Sequence, residues 1–449
     1  MNSFAITSKE MLKFISDSPT CFHAADNLKR MLDRQGFEQL NEQDEYAIKK
    51  GGRYYVIRNG SSILAFVVPE GEIKGFHMSA AHSDSPCFKI KEKPEMITED
   101  RYVKLNVEKY GGMIDSTWLD RPLSVAGRVV VKEDGAENNG VAGLVTKLVN
   151  IDRDLLMIPN LAVHMNRDMN KGYEYNAQTD LIPLFGEYSK GDEKDCFIQL
   201  VAAEAGVSKE KLLGYDLYLY VREKGRFFGG NEEYVFSPRL DDLQCAYSCM
   251  KSLAESTPKE YINVCVVFDN EEVGSGTKQG ADSTFLKANL KRIHEALSGK
   301  DEKEEDKAGK TGSRVKGYKR LLADSFMISA DNAHAVHPNH PEKGDPTNRP
   351  YLNGGIVIKF HGSQRYTTAA FSGAVMKDIC NKAEVPYQTY HNRSDIAGGS
   401  TLGNISTAHV SVNTVDIGLP QLAMHSACET AGAKDTEYLI RAMKCYYEE

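Results

Sequence analysis

No C-x-x-C pair occurs among the nine cysteines of this 449-residue chain, and their odd number does not suit a closed disulfide framework. That usage fits a reducing compartment with thiols packed in cores. A basic excess is also missing. The 55 Lys and Arg are outnumbered by 63 Asp and Glu, for a net charge of −8 and a pI near 5.9. This excludes the positive stripe of a nucleic-acid binder. No apolar run reaches the roughly 18 residues of a membrane span. The opening MNSFAITSKEMLKF lacks the charged-then-apolar pattern of an export signal, so a cytoplasmic location is expected. What is there is ordinary for a soluble globular protein: 41% hydrophobic and 26% charged residues, with a mean hydropathy of −0.44. Single cores stop growing near about 250–300 residues, so at least two domains are expected.

The chain opens as two helices. Thr7 with Glu10 reads as a capping box, and Ser18-Pro19 as an N-cap with proline in the first helical position. YYVIRNGSSILAFVVP places two apolar runs around Asn59-Gly60, a hairpin signal, and GFHMSAAHSDSP is a strand ending in polar residues. From about 90 to 230 the text is a succession of short β-like runs such as YVKLNVEKY, LSVAGRVVVK and GYDLYLYVRE. From about 232 strands alternate with helices: YINVCVVF, a helix near 281–297, SFMISA, GGIVIKF, a helix near 367–383, the strand STAHVSVNTVDIG and a terminal helix. Alternation predicts an α/β fold, a sheet covered by helices. The expected organisation is a discontinuous catalytic domain, 1–89 and 232–449, interrupted by a β-rich domain at 90–231. The stretch Ser298–Lys316 has no large apolar side chain before Val315 and reads as a mobile surface loop.

Five polar clusters fall at the ends of β-like runs: AAHSDSP, SPRLDDL, VVFDNEEVGSG, ISADNAHAVHPNH and PQLAMHSACE. Side chains at the carboxyl ends of strands in an open α/β sheet converge on one crevice. A single histidine after a strand, or an aspartate opening a helix, is ordinarily structural. Five such clusters on one edge are not ordinary. Oxygen donors mixed with histidines, and no cysteine among them, suit zinc in a hydrolytic site, or manganese or cobalt. Two metals about 3.5–4 Å apart need a bridging carboxylate and about two further ligands each. His82, Asp241, Glu272, Asp331 and His425 supply that count, and Asp84 is placed to accept the other ring N–H of His82.

Glu271-Glu272 is the most informative dipeptide. Adjacent side chains at a strand end point in different directions, so the two glutamates cannot share a role. One can ligate a metal while the other faces the water that the metal acidifies and acts as general base. Gly274-Ser275-Gly276 lacks the spacing of a dinucleotide loop.

HSDSPCFKIK, WLDRPLSVAGRV, SPRLDDLQC, FDNEEVGSGTKQGADS, SADNAHAVHPNH, RSDIAGGSTLG and GLPQLAMHSACE together resemble the aspartyl aminopeptidase family of co-catalytic zinc exopeptidases, which includes yeast vacuolar aminopeptidase I. The match runs in order from about residue 10 to 447. The resemblance implies two zinc ions per subunit, one held by His82, Asp241 and Asp331 and the other by Asp241, Glu272 and His425, with Asp241 bridging and Glu271 as the base. It implies a catalytic α/β/α sandwich whose β-rich insertion dimerises, and dimers that assemble into dodecamers. His164, in that insertion, is implied to reach a neighbouring subunit's site. His334 and His337 match positions near the substrate, Lys359 matches a pocket lysine with Arg365 and Tyr366 close behind, and Gly398–Thr401 resembles a pocket-lining loop at a helix start.

The expected activity is removal of N-terminal residues from peptides, acidic ones preferred. The same machinery with broad or leucine-preferring specificity, a deacylase of small amino-acid conjugates, and a catalytically silent assembly protein are the rival readings. A third metal on His334, His337 and His340 is a further possibility, less favoured than substrate contact.

Overall fold

A computed structural model describes residues 3–138, 141–189, 195–298 and 316–449. The polar stretch read at 298–316 therefore lies almost wholly outside the described residues. Nine strands form the main sheet, in the spatial order Glu38–Leu40, Arg53–Arg58, Ser62–Val67, Tyr261–Phe268, Gly75–His82, Phe326–Ala330, Asn413–Gly418, Ile356–Phe360 and Tyr387–His391. The four central strands, Tyr261–Phe268 through Asn413–Gly418, run parallel to one another. Their near-continuous apolar sequences, buried along almost their whole length, suit a sheet covered on both faces.

Alternate side chains along each strand feed two separate cores. Ile262, Val264, Val266 and Phe268 pack with the helix Phe285–Ser298 on one face. Cys265 and Val267 pack on the other face with the helices Ser3–Ser16, Leu240–Glu255 and Asp435–Tyr447. The result is an α/β/α sandwich. Asn59 (φ 59°) and Gly60 (φ 69°) supply the positive dihedrals of the three-residue connection, 59–61, that turns the Arg53–Arg58/Ser62–Val67 hairpin.

A six-stranded, largely antiparallel sheet is drawn entirely from residues 87–221, and has its own apolar core of Phe88, Leu105, Trp118, Val129, Phe197 and Leu219 among others. Position 90 falls inside its first strand, Cys87–Thr98. A five-stranded sheet, in the order Arg226–Phe228, Tyr234–Ser237, Glu429–Gly432, Pro420–Leu422 and Ala333–His334, lies beside the crevice described below.

Three local expectations are corrected. Thr7 lies inside the first helix, and its hydroxyl bonds the Glu437 carboxylate at 2.5 Å instead of capping. The second helix begins at Cys21 with Thr20 as N-cap, two residues beyond Ser18, because the Ser18 hydroxyl accepts from the Asn27 amide. In STAHVSVNTVDIG only Asn413–Gly418 is a strand; Leu402–Thr407 is a helix with Thr401 as its N-cap.

Candidate active site

The main sheet's parallel centre presents its carboxyl ends to one crevice. His82 closes the strand Gly75–His82 and lies level with Phe268 on the neighbouring strand. Three residues past Phe268, Glu271 and Glu272 begin a short 3-10 turn. Asp331 directly follows Phe326–Ala330. His425 sits in the loop between Pro420–Leu422 and Glu429–Gly432, and Asp241 enters from the first turn of Leu240–Glu255. All six line one cleft of about 680 Å³ with His334, Lys359, Tyr366, Tyr390 and Thr401.

Asp241 is at the centre. Its Oδ1 lies 3.5 Å from Nε2 of His82, and its Oδ2 lies 3.4 Å from Nε2 of His425. His82 Nε2 is 4.0 Å from Asp331 Oδ1, and His425 Nε2 is 3.3 Å from Glu272 Oε1. Ligand bonds of about 2.0–2.2 Å around a tetrahedral zinc imply ligand–ligand edges near 3.4 Å. The separations of 3.3–3.5 Å here match that edge. Among the described residues, His82, Asp241 and Glu272 offer ligand atoms within 4.8 Å of one another, and so do Asp241, Asp242 and Asp331. His334, His337 and His340 form no such group, so the reading of a third metal there gains no support.

Charge at this edge is costly. Burial, together with the charges of Asp331 and Glu272, pushes the Glu271 carboxyl up to about 8, and burial beside Asp241 pushes Glu272 up to about 7. Burial alone lowers an imidazole, but hydrogen bonding and charge from Asp241 and Glu272 push His425 up to about 11. His425 and His82 together hold Asp241 far below the usual carboxylate range against its burial. Asp241 Oδ1 and Glu272 Oε1 are buried oxygens that accept no close hydrogen bond among the described residues; each faces an imidazole Nε2, that of His82 at 3.5 Å and that of His425 at 3.3 Å. Unpaired buried anionic oxygens are strongly penalised unless paired or bound to a cation.

Neighbouring groups fix the orientation of these side chains. His82 Nδ1 lies 3.0 Å from the Asp84 main-chain carbonyl and 3.4 Å from its carboxylate. A carbonyl only accepts, so Nδ1 carries a proton, and Nε2, turned toward Asp241 and Asp331, is the nitrogen that a metal would take. The expected Asp84–His82 link therefore runs mainly through the backbone. The Asp84 carboxylate instead accepts the N–H groups of Glu271 (3.1 Å) and Glu272 (3.2 Å). Two acids emerge that had no role assigned from the sequence. Glu429 accepts the N–H of Asp241 at 3.0 Å and that of His425 at 2.8 Å, and Asp242 accepts the N–H of His82 at 3.1 Å. Glu429 ends the PQLAMHSACE cluster, four residues after His425, but neither its burial nor its partner 188 residues away was legible there.

Lys359, only 3% exposed, donates to the Asn332 carbonyl at 2.8 Å, and its Nζ lies 3.7 Å from Asp331 Oδ2 and 5.5 Å from the centre of the Tyr366 ring. Burial works to lower its ammonium, but the Asp331 carboxylate holds it above its ordinary value. His334 lines the cleft, and His337 lines an adjoining one that shares His334, Tyr390 and Gly399. His164 is exposed on the six-stranded region and is not among the lining residues.

Residues 14–447 match the family described as "Aminopeptidase I zinc metalloprotease (M18)". The chain belongs to the M18 aminopeptidase family. It is 47% identical over 443 residues to a "Probable M18 family aminopeptidase 2" of Clostridium novyi (strain NT), covering 98% of both chains. Its fold matches a chain of the Ape4 and Nbr1 complex with a TM-score of 0.89 and 35% identity, covering 99% of this chain and 86% of the other. The S. cerevisiae mApe1 dodecamer shares the fold at a TM-score of 0.83, with 24% identity, covering 99% of this chain and 97% of that one. M18 membership makes the protein a metal-dependent aminopeptidase, and the family's zinc fits the donors found here: imidazole nitrogens and carboxylate oxygens, with buried Asp241 Oδ1 and Glu272 Oε1 accepting no close hydrogen bond among the described residues. No described helix is long and apolar enough to cross a membrane.

Proposed function

We propose that this M18 aminopeptidase uses two zinc ions, one held by His82, Asp241 and Asp331 and the other by Asp241, Glu272 and His425, and that it prefers acidic N-terminal residues. The observation that carries the reading is the division of Asp241: one oxygen faces each histidine. Bound zinc supplies Lewis acidity toward the scissile carbonyl and toward water.

The chain's own residues do the rest. Glu271 lines the cleft beside the proposed ligands without being one of them, so its carboxylate can take the proton of the attacking water and return it to the leaving amine. Asp84 holds the backbone of both glutamates, which keeps Glu272 toward His425 while Glu271 stays free for proton transfer. Lys359 supplies the cation for an acidic first side chain, with Tyr366 closing the cleft beside it and His334 and His337 along the path of the peptide. Leucine-preferring or broad specificity is the second reading. It is favoured by one observation: Lys359 is already engaged with the Asn332 carbonyl and Asp331.

The sheet formed by residues 87–221 would be the self-association domain of a cytoplasmic oligomer built from dimers, ultimately a dodecamer, with His164 serving a neighbouring subunit. Its exposed Leu161, Val163 and Met165, and the fold shared with a dodecamer, support that part. Assays on Asp-, Glu- and Leu-nitroanilides, with and without chelator, test the reading. Chelator-sensitive hydrolysis led by Asp or Glu is expected; a Leu-led profile would replace the acidic preference.

A further inference from the structure

The segment Tyr110–Thr117 links the six-stranded region to the active site at four points. Tyr110 ends the strand Tyr102–Tyr110, and its hydroxyl donates to Asp84 Oδ2 at 2.7 Å while accepting from the Asn270 amide at 2.8 Å. It thus joins both supports of the Glu271–Glu272 turn: the carboxylate beneath it and the residue that opens it. Gly111 (φ 75°) passes so close that a Cβ there would lie 3.2 Å from Glu272 Cβ. Further along, Ile114 N–H donates to the His425 carbonyl at 3.0 Å, and the Thr117 hydroxyl accepts Ala427 N–H at 2.9 Å.

Both ends of the segment are fixed in the other core. Tyr110 pairs with Cys87 in the six-stranded sheet, and Trp118, 4% exposed, packs edge-on against Phe88 with ring centres 5.3 Å apart. Between those anchors the segment touches the Glu272 turn and the His425 loop, and among the described residues it makes no hydrogen bond to the Asp331 loop.

We propose that Tyr110–Thr117 is a positioning strap through which the six-stranded region sets the Glu271–Glu272 turn and the His425 loop, with Tyr110 and Thr117 as its positioning residues. The inference rests on the ligand assignment proposed above. It makes one half of the metal site, the Glu272–His425 half, depend on a sheet that contributes no ligand.

The experiment compares full-length wild type with Tyr110→Phe, Thr117→Val, Thr117→Ser and the Tyr110→Phe/Thr117→Val pair. Zinc affinity is read by competition with a chromophoric chelator, alongside kcat, KM and molecular mass. Groups that orient ligands typically change metal affinity or activity by about 10–100-fold. The expected result is a kcat lowered about tenfold in Tyr110→Phe with KM within about twofold, a weaker-bound zinc equivalent lost about tenfold more easily in the pair while the tighter one is unchanged, and recovery in Thr117→Ser, which keeps the hydroxyl. Wild-type kcat and zinc binding in the pair would overturn the strap. So would Thr117→Ser failing as badly as Thr117→Val, or uniform loss of both zinc equivalents. A wild type without zinc-dependent hydrolysis would instead overturn the functional reading on which the strap rests.

Discussion

The two large sheets treat polar groups in opposite ways. The nine-stranded sheet, its flanking helices and the adjoining five-stranded sheet bury His82, Asp84, Asp241, Asp242, Asp331, Lys359 and Glu429 around one edge. In the six-stranded region Ser124 is the one buried polar side chain among the described residues from 87 to 221. There the departure is at the surface, where Met165 is 75% exposed and Leu213 58% exposed. A fold gains nothing in stability from collecting like charges in a low-dielectric crevice. The difference shows where stability is given up for chemistry and where apolar surface is left for contact.

Removing the shared carboxylate should break this contrast most severely. Asp241→Ala is expected to lose both zinc equivalents and lower kcat/KM roughly a thousandfold or more, ~4 kcal/mol, as emission spectroscopy and kinetics would register. Retention of one full equivalent would show that Asp241 does not bridge.

Lys359→Met is the next largest. A substrate carboxylate left without its cation costs about 2–4 kcal/mol, so kcat/KM for Asp substrates should fall tens-fold or more while Leu substrates are largely spared. Equal losses on both would place Lys359 with Asp331 as a structural pair, an outcome its 3.7 Å separation makes concrete.

Stability should track the charge at the metal edge. In the metal-free protein Glu271 and Glu429 are raised to about 8 and Glu272 to about 7, above the usual value near about 4.5. Burial is the main cause for each. The folded chain then holds protons that the unfolded chain has released, so stability is present below about pH 4.5 and is lost as pH rises toward about 8. His425, raised to about 11, has the same sign: its contribution declines as pH climbs through that value. Zinc replaces those protons. The Tm difference between zinc-loaded and chelated protein, followed by scanning fluorimetry, should therefore widen from pH 5.5 to pH 8.5 by roughly a few degrees. A constant or narrowing gap would contradict the charge assignment.

The smallest effect on chemistry is expected at the exposed surface of the other sheet, away from Tyr110–Thr117. Met165→Asp places charge on its exposed apolar segment and should lower the mass seen by light scattering, with little change in zinc content. An unchanged mass would remove that segment from the contact surface.

Much of the site's composition was legible because strand ends can be read in one dimension. Each polar cluster follows an apolar run, and parallel pairing brings those ends together, which is why His82, Glu271, Glu272 and Asp331 line one cleft. The supports were less legible because they act through backbone groups or from remote elements. Nothing in HSD says that the Asp84 carbonyl, and not its carboxylate, is nearer to His82. Tyr110 reads as the end of an ordinary strand, and its contact with Asn270 spans 160 positions. Helix starts failed for a simpler reason: the Ser18 and Thr7 hydroxyls had tertiary partners that outcompeted capping.

The division of labour between the adjacent glutamates is tested most directly by Glu271→Gln, with zinc content and single-substrate kinetics measured on the same preparation. Loss of a general base lowers turnover by about 10²–10⁴-fold. The expected result is that loss with zinc content equal to wild type, since Glu272 and His425 stay 3.3 Å apart and no ligand has been removed. Zinc lost together with activity, or turnover retained, would contradict the assignment of Glu271 as base and Glu272 as ligand.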